Sequence, residues 1–231
     1  MPESTTTNVG PTAPTPRTGG PAPVIGLTGA IGGGKSVAAG LLAARGAAVI
    51  DADAVGHEAL RRPEIVRRVA ERFGPETLTA EGRVDRQALG LLVFSDPAAL
   101  RDLEAIVHPT MVAEFQRRIA EARRRGEAPL IVLDAAVLLE AGWDRLCDAT
   151  VFVDAPRDVR LDRVRRARGW TEEGLAVREA AQWPLDRKKA RALRVLLNDG
   201  DVPSLEAEID RLWPGLTTAA PDSEPTAEPR P

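Results

Sequence analysis

Cysteine, tyrosine and lysine are scarce in this chain of 231 residues. Cys147 is the only cysteine, which excludes an internal disulfide, and tyrosine is absent. A lone cysteine is usually a small buried residue rather than a nucleophile, and we expect that of Cys147. Lysine occurs only at Lys35, Lys188 and Lys189, so arginine carries nearly all of the positive charge. We interpret the lysine and tyrosine biases as genome composition.

The sequence also lacks long apolar runs and a strong net charge. No apolar run approaches the length of a membrane-spanning helix. The formal net charge of −3 gives no general attraction to nucleic acid or to a membrane surface. Length and composition favour one globular α/β domain with a modest insertion. We expect no nucleic-acid or membrane partner, and no pattern indicates an obligate protein partner.

The two ends of the chain differ from its centre. Residues 1–23 are rich in Thr, Pro and Gly, and they lack the basic start and apolar stretch of a secretory signal. Residues 217–231 have a similar, acidic composition. We predict that both tails are disordered and that residues 24–216 form the folded unit.

A glycine-rich stretch, "GAIGGGKS", fits the phosphate-binding pattern G-x-x-x-x-G-K-[ST]. It follows a short apolar run and precedes a helix-forming segment, which is the required context. Glycines let the backbone N–H groups approach an anion, Lys35 adds a charge at the β- and γ-phosphates, and Ser36 offers an oxygen to Mg²⁺. With the single cysteine, this P-loop favours a cytoplasmic protein. The nucleotide-binding residues predicted here are Gly29, Gly32, Gly33, Gly34, Lys35, Ser36 and Val37.

Five apolar runs indicate strands, and most of them are separated by helical patterns. Such alternation favours a parallel sheet flanked by helices, with ligands beyond the carboxyl ends of the strands. The runs are residues 24–28, 47–51, 130–134, 149–153 and 194–197.

Acidic residues end two of these runs. Asp51 ends the second run and Asp53 follows two residues later; Asp51 suits an anchor for the next helix, and Asp53 can point into the cleft. Both also fit ordinary helix-start acids. Asp134 ends the third run in the Walker B pattern, whose carboxylate reaches Mg²⁺ directly or through water. We therefore predict that Ser36 and Asp134 bind Mg²⁺.

A long helical region, residues 63–125, separates the second and third runs. His108 precedes Pro109 within it, so we expect the helix to end there. A lone histidine such as this one is more often structural than functional. Arg83 and Arg86 lie in a turn, where either can meet an anionic substrate or remain solvated.

An arginine-rich segment follows the fourth run. It is either a solvated charged face or a lid that closes over a polyphosphate. Because it lies between two core strands, and kinases of this architecture need a closing element to exclude water, we favour a lid over residues 157–192. The fifth run ends in the turn Asn198-Asp199-Gly200, which can line an adenine pocket. The arginines of the lid cluster are Arg157, Arg160, Arg163, Arg165, Arg166 and Arg168.

Taken in order, these motifs resemble one family, dephospho-coenzyme A kinase. The chain carries "LTGAIGGGKS", "VIDAD", "GRVDR", "HP", "LLEAGW", the lid with a following "REAAQ", and "NDG". They span about residues 24–213, and the ordered set is far more specific than any one motif besides the P-loop. Two positions depart from the family pattern: Ala136 stands where proline is usual, and Ala167 where the lid often has arginine.

The resemblance implies an α/β P-loop kinase with a five-stranded parallel sheet, a helical substrate region near residues 54–126 and a lid. It implies that phosphate passes from ATP, with Mg²⁺, to the ribose 3′-hydroxyl of dephospho-CoA, giving coenzyme A and ADP. Asp53 matches the family's candidate base. On this basis catalysis is assigned to Asp53, Lys35, Arg166 and Arg168, substrate binding to Asp53, Arg83, His108 and Arg163, and ATP binding also to Asn198.

Two alternatives stay open at this point. Another small-molecule P-loop kinase, for nucleoside monophosphates or shikimate, shares the loop, the lid and Mg²⁺. Such kinases are not expected to combine "VIDAD", "HP" and "LLEAGW". A GTP-dependent switch needs the guanine-reading pattern N-K-x-D after an apolar strand, and the sequence contains none.

Overall fold

A computed structural model describes residues 20–218 of the chain. Its centre is a sheet of five strands in the order β2-β3-β1-β4-β5, and every pairing is parallel. The predicted fold class is confirmed. The predicted tails lie almost entirely outside the described residues. The strands are β1 (Val24–Gly29), β2 (Ala48–Asp51), β3 (Ile131–Asp134), β4 (Ala149–Asp154) and β5 (Arg194–Leu197).

Helices connect the strands and cover both faces of the sheet. None of the helices within residues 20–218 combines the length and apolar character needed to cross a membrane. The helices are α1 (Lys35–Ala44), α2 (Ala52–Ala59), α3 (Pro63–Phe73), α4 (Arg86–Ser95), α5 (Pro97–Arg125), α6 (Arg157–Arg168), α7 (Glu172–Ala180), α8 (Leu185–Ala190) and α9 (Val202–Thr218).

Alternation along the strands separates two large core clusters, one on each face of the sheet. In β3, Ile131 and Leu133 pack with α2 to α5, whereas Val132 packs with α1 and α9 on the other face. Cys147 packs at the edge of the first cluster, and burial raises the pKa of its thiol to about 12. The thiol therefore stays protonated at neutral pH, as expected of a structural cysteine.

Helix α5 continues through Pro109, so the expected end of the helix at His108 was wrong. Proline removes one hydrogen bond inside a helix and costs about 3 kcal/mol. Burial of Val107, Met111 and Phe115 on either side outweighs that cost. The side chain of Arg68 also donates to the Ile106 carbonyl, at 3.3 Å, in the turn that precedes the proline.

A buried carboxylate joins α5 to the neighbouring helices. Glu114 is 8% exposed and accepts hydrogen bonds from Arg117 at 2.7 Å and Arg118 at 2.8 Å. Arg62, at the start of α3, lies 3.5 Å away, and Arg118 also pairs with Glu58 on α2. Hydrogen bonds from Arg117 above all, and then from Arg118, lower the pKa of Glu114 to about 2 despite its burial.

Replacing Glu114 with Gln should destabilise the protein by roughly 1–3 kcal/mol at pH 7. Because the folded-state pKa is depressed, the contribution is present above about pH 4.5 and is lost as the pH falls towards 2. Urea unfolding from pH 7 to pH 3 should therefore show the two proteins converging in acid. Glu121→Gln, which removes a more exposed partner of Arg117, is the matched control. A constant difference at every pH would contradict this account.

Candidate active site

The loop between β1 and α1 contains two glycines, Gly32 and Gly34, at which any side chain would be strained. Gly34 has φ 91° and begins α1 without a side-chain cap, which leaves the N–H groups of the first turn facing the loop. A Cβ on Gly34 would lie 2.0 Å from Nδ2 of Asn198. A Cβ on Gly32, with φ 77°, would lie 2.8 Å from the Arg160 carbonyl oxygen. The P-loop therefore packs directly against two later segments.

The first of these segments contains Asn198. It is buried, and its Nδ2 donates to the Gly33 carbonyl at 2.8 Å. Arg163 lies behind it and donates to the Asn198 carbonyl at 3.0 Å and to its Oδ1 at 3.3 Å. The structure thus brings Asn198 to the P-loop and places Arg163 on the nucleotide side of the site. A contact between Arg163 and the acceptor stays a prediction.

The second segment contains Arg160, to which the sequence alone assigned no role of its own. It is 4% exposed, donates to the Ala155 carbonyl at 3.1 Å and the Ile31 carbonyl at 3.3 Å, and pairs with Glu179 on α7. Arg160 therefore connects α6 to the P-loop and to α7. The only signal in the sequence was its helical spacing from Arg163, which many solvated arginines share.

The carboxyl edge of the sheet gathers three carboxylates. Asp51 lies opposite Asp134 in the register of β2 with β3. Its Oδ1 accepts the N–H groups of Asp53 at 2.8 Å and Ala54 at 3.1 Å, so Asp51 caps α2. Lys35 donates to Oδ1 of Asp134. Asp53, in the first turn of α2, is left exposed at the edge.

The charge at this edge suits a divalent cation. Burial raises the pKa of Asp134, and the charges of Asp51 and Asp53 raise it further, while Lys35 opposes them. Within residues 20–218, no group of three or more His, Cys, Asp and Glu is placed to hold a metal by itself. Oxygen ligands from Asp134 and Ser36, completed by phosphate oxygens and water, match the manner in which Mg²⁺ binds beside nucleotides.

Beside Asp53 opens a cleft of about 370 Å³, which we name the acceptor cleft. It lies between α2, α4, α5 and the loop after β3. The volume falls within the usual range for small-molecule sites. Polar side chains on its wall are Asp53, His57, Arg86, Glu104 and His108, and apolar ones include Leu89, Val93, Val107, Met111 and Trp143.

His108 contributes a neutral ring to this cleft. Its ring packs edge-on against Trp143 with centroids 4.9 Å apart. Burial lowers the pKa of His108 and raises the pKa of Glu104, so both groups favour their uncharged forms more than they would in water. Arg86 lines the cleft, whereas Arg83 is exposed and pairs with Glu81 at 3.4 Å.

The two lid arginines assigned to catalysis lie on the outer surface of α6. Arg166 is 80% exposed and pairs with Asp162 at 3.0 Å. Arg168 lies over the ring of Trp170, 4.8 Å from its centroid. The structure therefore brings Lys35, Asp134 and Asp53 together at one edge, and leaves Arg166 and Arg168 in solvent.

A five-stranded parallel sheet flanked by helices, a P-loop and a strand-end aspartate define the class of P-loop kinases. A family model described as dephospho-CoA kinase matches residues 23–204. The chain belongs to the dephospho-CoA kinase family, and the resemblance read from its motifs is confirmed.

Close relatives support the same assignment. A dephospho-CoA kinase of Symbiobacterium thermophilum is 41% identical over 192 residues, 82% of this chain and 80% of the relative. One of Thermus thermophilus is 41% identical over 197 residues, 85% and 93% of the two chains. A crystal structure of a Thermus thermophilus protein, 40% identical, superimposes with a TM-score of 0.70 and covers 84% of this chain and 97% of the other.

Replacing Lys35 with Met should lower phosphoryl transfer by on the order of 10³-fold or more, because the lysine of a P-loop supplies charge to the donor phosphates. Thermal stability should also fall, because the buried Asp134 loses its cation, so activity is compared well below the melting temperature. Steady-state kinetics and thermal melts measure both effects. Arg45→Met, which removes a charge from the other end of α1, is the control. A Lys35 variant with a tenth of normal activity would contradict the role of the loop.

Proposed function

We propose that this protein transfers the γ-phosphoryl group of ATP to the ribose 3′-hydroxyl of dephospho-CoA, giving coenzyme A and ADP. The observation that carries the proposal is the junction of the P-loop and the acceptor cleft at Asp53, on one edge of the sheet. Family membership supports the choice of this acceptor over shikimate or a nucleoside monophosphate.

The donor phosphates are held by the N–H groups of the P-loop and by Lys35. In this proposal Ser36 and Asp134 hold Mg²⁺, which when bound neutralises charge on the phosphate oxygens. Asn198, which contacts Gly33, and Val37, which is exposed in the first turn of α1, would contact the nucleotide beside the loop. Lys35 then exchanges its contact with Asp134 for contacts with the β- and γ-phosphates.

Asp53 acts on the acceptor. Its carboxylate accepts a hydrogen bond from the 3′-hydroxyl and orients that oxygen for in-line attack. A bond forms between the ribose oxygen and the γ-phosphorus as the bond from phosphorus to the β–γ bridging oxygen breaks. The hydroxyl proton passes to Asp53. Because the transition state is loose, positioning contributes more than basicity.

The remaining predicted residues have less direct roles in this proposal. His108 and Arg86 offer a neutral ring and a cation to the acceptor within the cleft, and Arg83 stands at the turn that leads to Arg86. We propose that Arg166 and Arg168 reach the transferred phosphoryl group when the lid closes. Residues 54–126 and 157–192 serve as substrate region and lid, and a cytoplasmic location stays a prediction from the sequence.

Replacing Asp53 with Asn should lower kcat with ATP and dephospho-CoA by roughly 10²- to 10⁴-fold, because the neutral amide orients the hydroxyl less well than the carboxylate and cannot take its proton. The KM for ATP should change little. Asp51→Asn is the matched control, since that side chain caps α2 and its loss should act mainly on stability. Kinetics and thermal melts of both variants separate these roles. A normal kcat in Asp53→Asn, with the loss in Asp51→Asn, would exchange the assignments.

A further inference from the structure

Lys188, on α8 at the end of the lid, is completely buried. Its ammonium donates to the Ala136 carbonyl at 3.1 Å and to Oε1 of Gln182 at 2.9 Å, and pairs with Oε1 of Glu140 at 2.6 Å. An ammonium has three N–H donors, and each has an acceptor here. Lys188 is therefore a buried cation whose hydrogen-bond donors are all paired.

The partners of Lys188 belong to segments that serve the site. Ala136 lies two residues after Asp134 and lines the acceptor cleft. Its carbonyl also accepts from Oγ1 of the buried Thr28, at 3.1 Å, in the strand that leads to the P-loop. Glu140 Oε1 accepts the Trp183 N–H at 3.0 Å, at the root of the lid. One ammonium thus joins the cleft wall to the lid root and, through Ala136, to β1.

The choice of lysine is specific in a chain that uses arginine almost everywhere. Only three of its 31 Lys and Arg residues are lysines, and all three pair with acids at or just after the carboxyl ends of β3 and β4. Three acceptors that converge on one point suit a compact ammonium better than the planar fork of a guanidinium. Genome composition explains why lysines are few, but it does not explain this placement.

Glu140 depends on Lys188 for its charge balance. Its second oxygen, Oε2, is buried and has no hydrogen-bond partner among the described residues. A buried ion pair is often replaceable by apolar residues without loss of stability, so stability alone gives little reason to keep one. The geometry around Ala136 supplies another reason.

We propose that Lys188 is a positioning residue for the acceptor. It holds the loop at residues 135–140, one wall of the acceptor cleft, at a fixed distance from the P-loop strand. The acceptor hydroxyl is thereby kept in line with the phosphate bound by that loop. This inference rests on the proposed function and adds that the lid root and the cleft wall form one unit.

The test compares Lys188→Met with the double variant Lys188→Met/Glu140→Gln. The single variant leaves a buried carboxylate without its cation and should melt at a lower temperature. The double variant removes both charges and keeps an acceptor for the Trp183 N–H, so it should recover most of that stability. Its kcat/KM for dephospho-CoA should still fall about 10- to 100-fold, because small misplacements of an acceptor cost that much. The KM for ATP should change less than about twofold, since Lys188 makes no contact with the P-loop.

Arg191→Met is the control in the same segment. Arg191 is about half exposed and pairs with Asp144 at 3.0 Å, and its loss should leave both KM values unchanged. If the double variant regained stability and full kcat/KM together, Lys188 would be structural only and the proposal would be overturned.

Hydrogen exchange provides a readout that does not depend on the substrate. Amides of residues 135–140 and 182–190 should exchange roughly tenfold faster in the double variant, while those of β4 should not change. Unchanged exchange in either segment would overturn the proposed link. A wild-type protein that fails to phosphorylate dephospho-CoA would instead refute the proposed function, and the exchange result would still decide the role of Lys188.

Discussion

Parallel pairing of β1, β2 and β3 is the constraint on which the site depends. In this register Leu27 and Asp51 both lie opposite Asp134, so three strands deliver their carboxyl ends to one place. The P-loop leaves β1 there, α2 begins there, and the wall of the acceptor cleft follows β3. A change of one residue in any of these registers would turn a site residue towards the opposite face of the sheet.

The charges at this edge suit the binding of phosphates together with a cation. Asp51, Asp53 and Asp134 accumulate negative charge, and Lys35 offsets only part of it. The electrostatic repulsion among these carboxylates is reduced locally, because Asp51 Oδ1 caps α2 and Asp134 is paired with Lys35. A divalent cation bound at this edge would offset the remaining negative charge, which is the role proposed above for Mg²⁺.

Sequence reasoning succeeded where a pattern is local. The P-loop, the five strands and the strand-end position of Asp134 each follow from a few adjacent residues, and the structure has them within one residue of prediction. The end of a helix at His108 was wrong because a local rule about Pro109 was outweighed by burial along α5. Helix propensity is a weak prior when tertiary packing acts on the same segment.

Other features could not be predicted from sequence, because they depend on residues far apart in the chain. Arg160 and Lys188 acquire their roles from contacts with Ile31 and Ala136, 129 and 52 residues away. In the sequence, nothing distinguishes these two residues from the basic residues around them. The same limit applies to Arg86, which differs from Arg83 only in the direction that the start of α4 gives its side chain.

The central claim is that one edge of the sheet joins an ATP site to a cleft for the 3′-hydroxyl of dephospho-CoA. The most direct measurement is ADP release with dephospho-CoA, AMP, pantetheine and shikimate as acceptors, followed by identification of the phosphorylated product by phosphorus NMR. The account predicts rapid release with dephospho-CoA alone and a product with one new phosphomonoester on the ribose 3′-oxygen. Comparable turnover of AMP or shikimate, or a phosphate on any other oxygen, would contradict it.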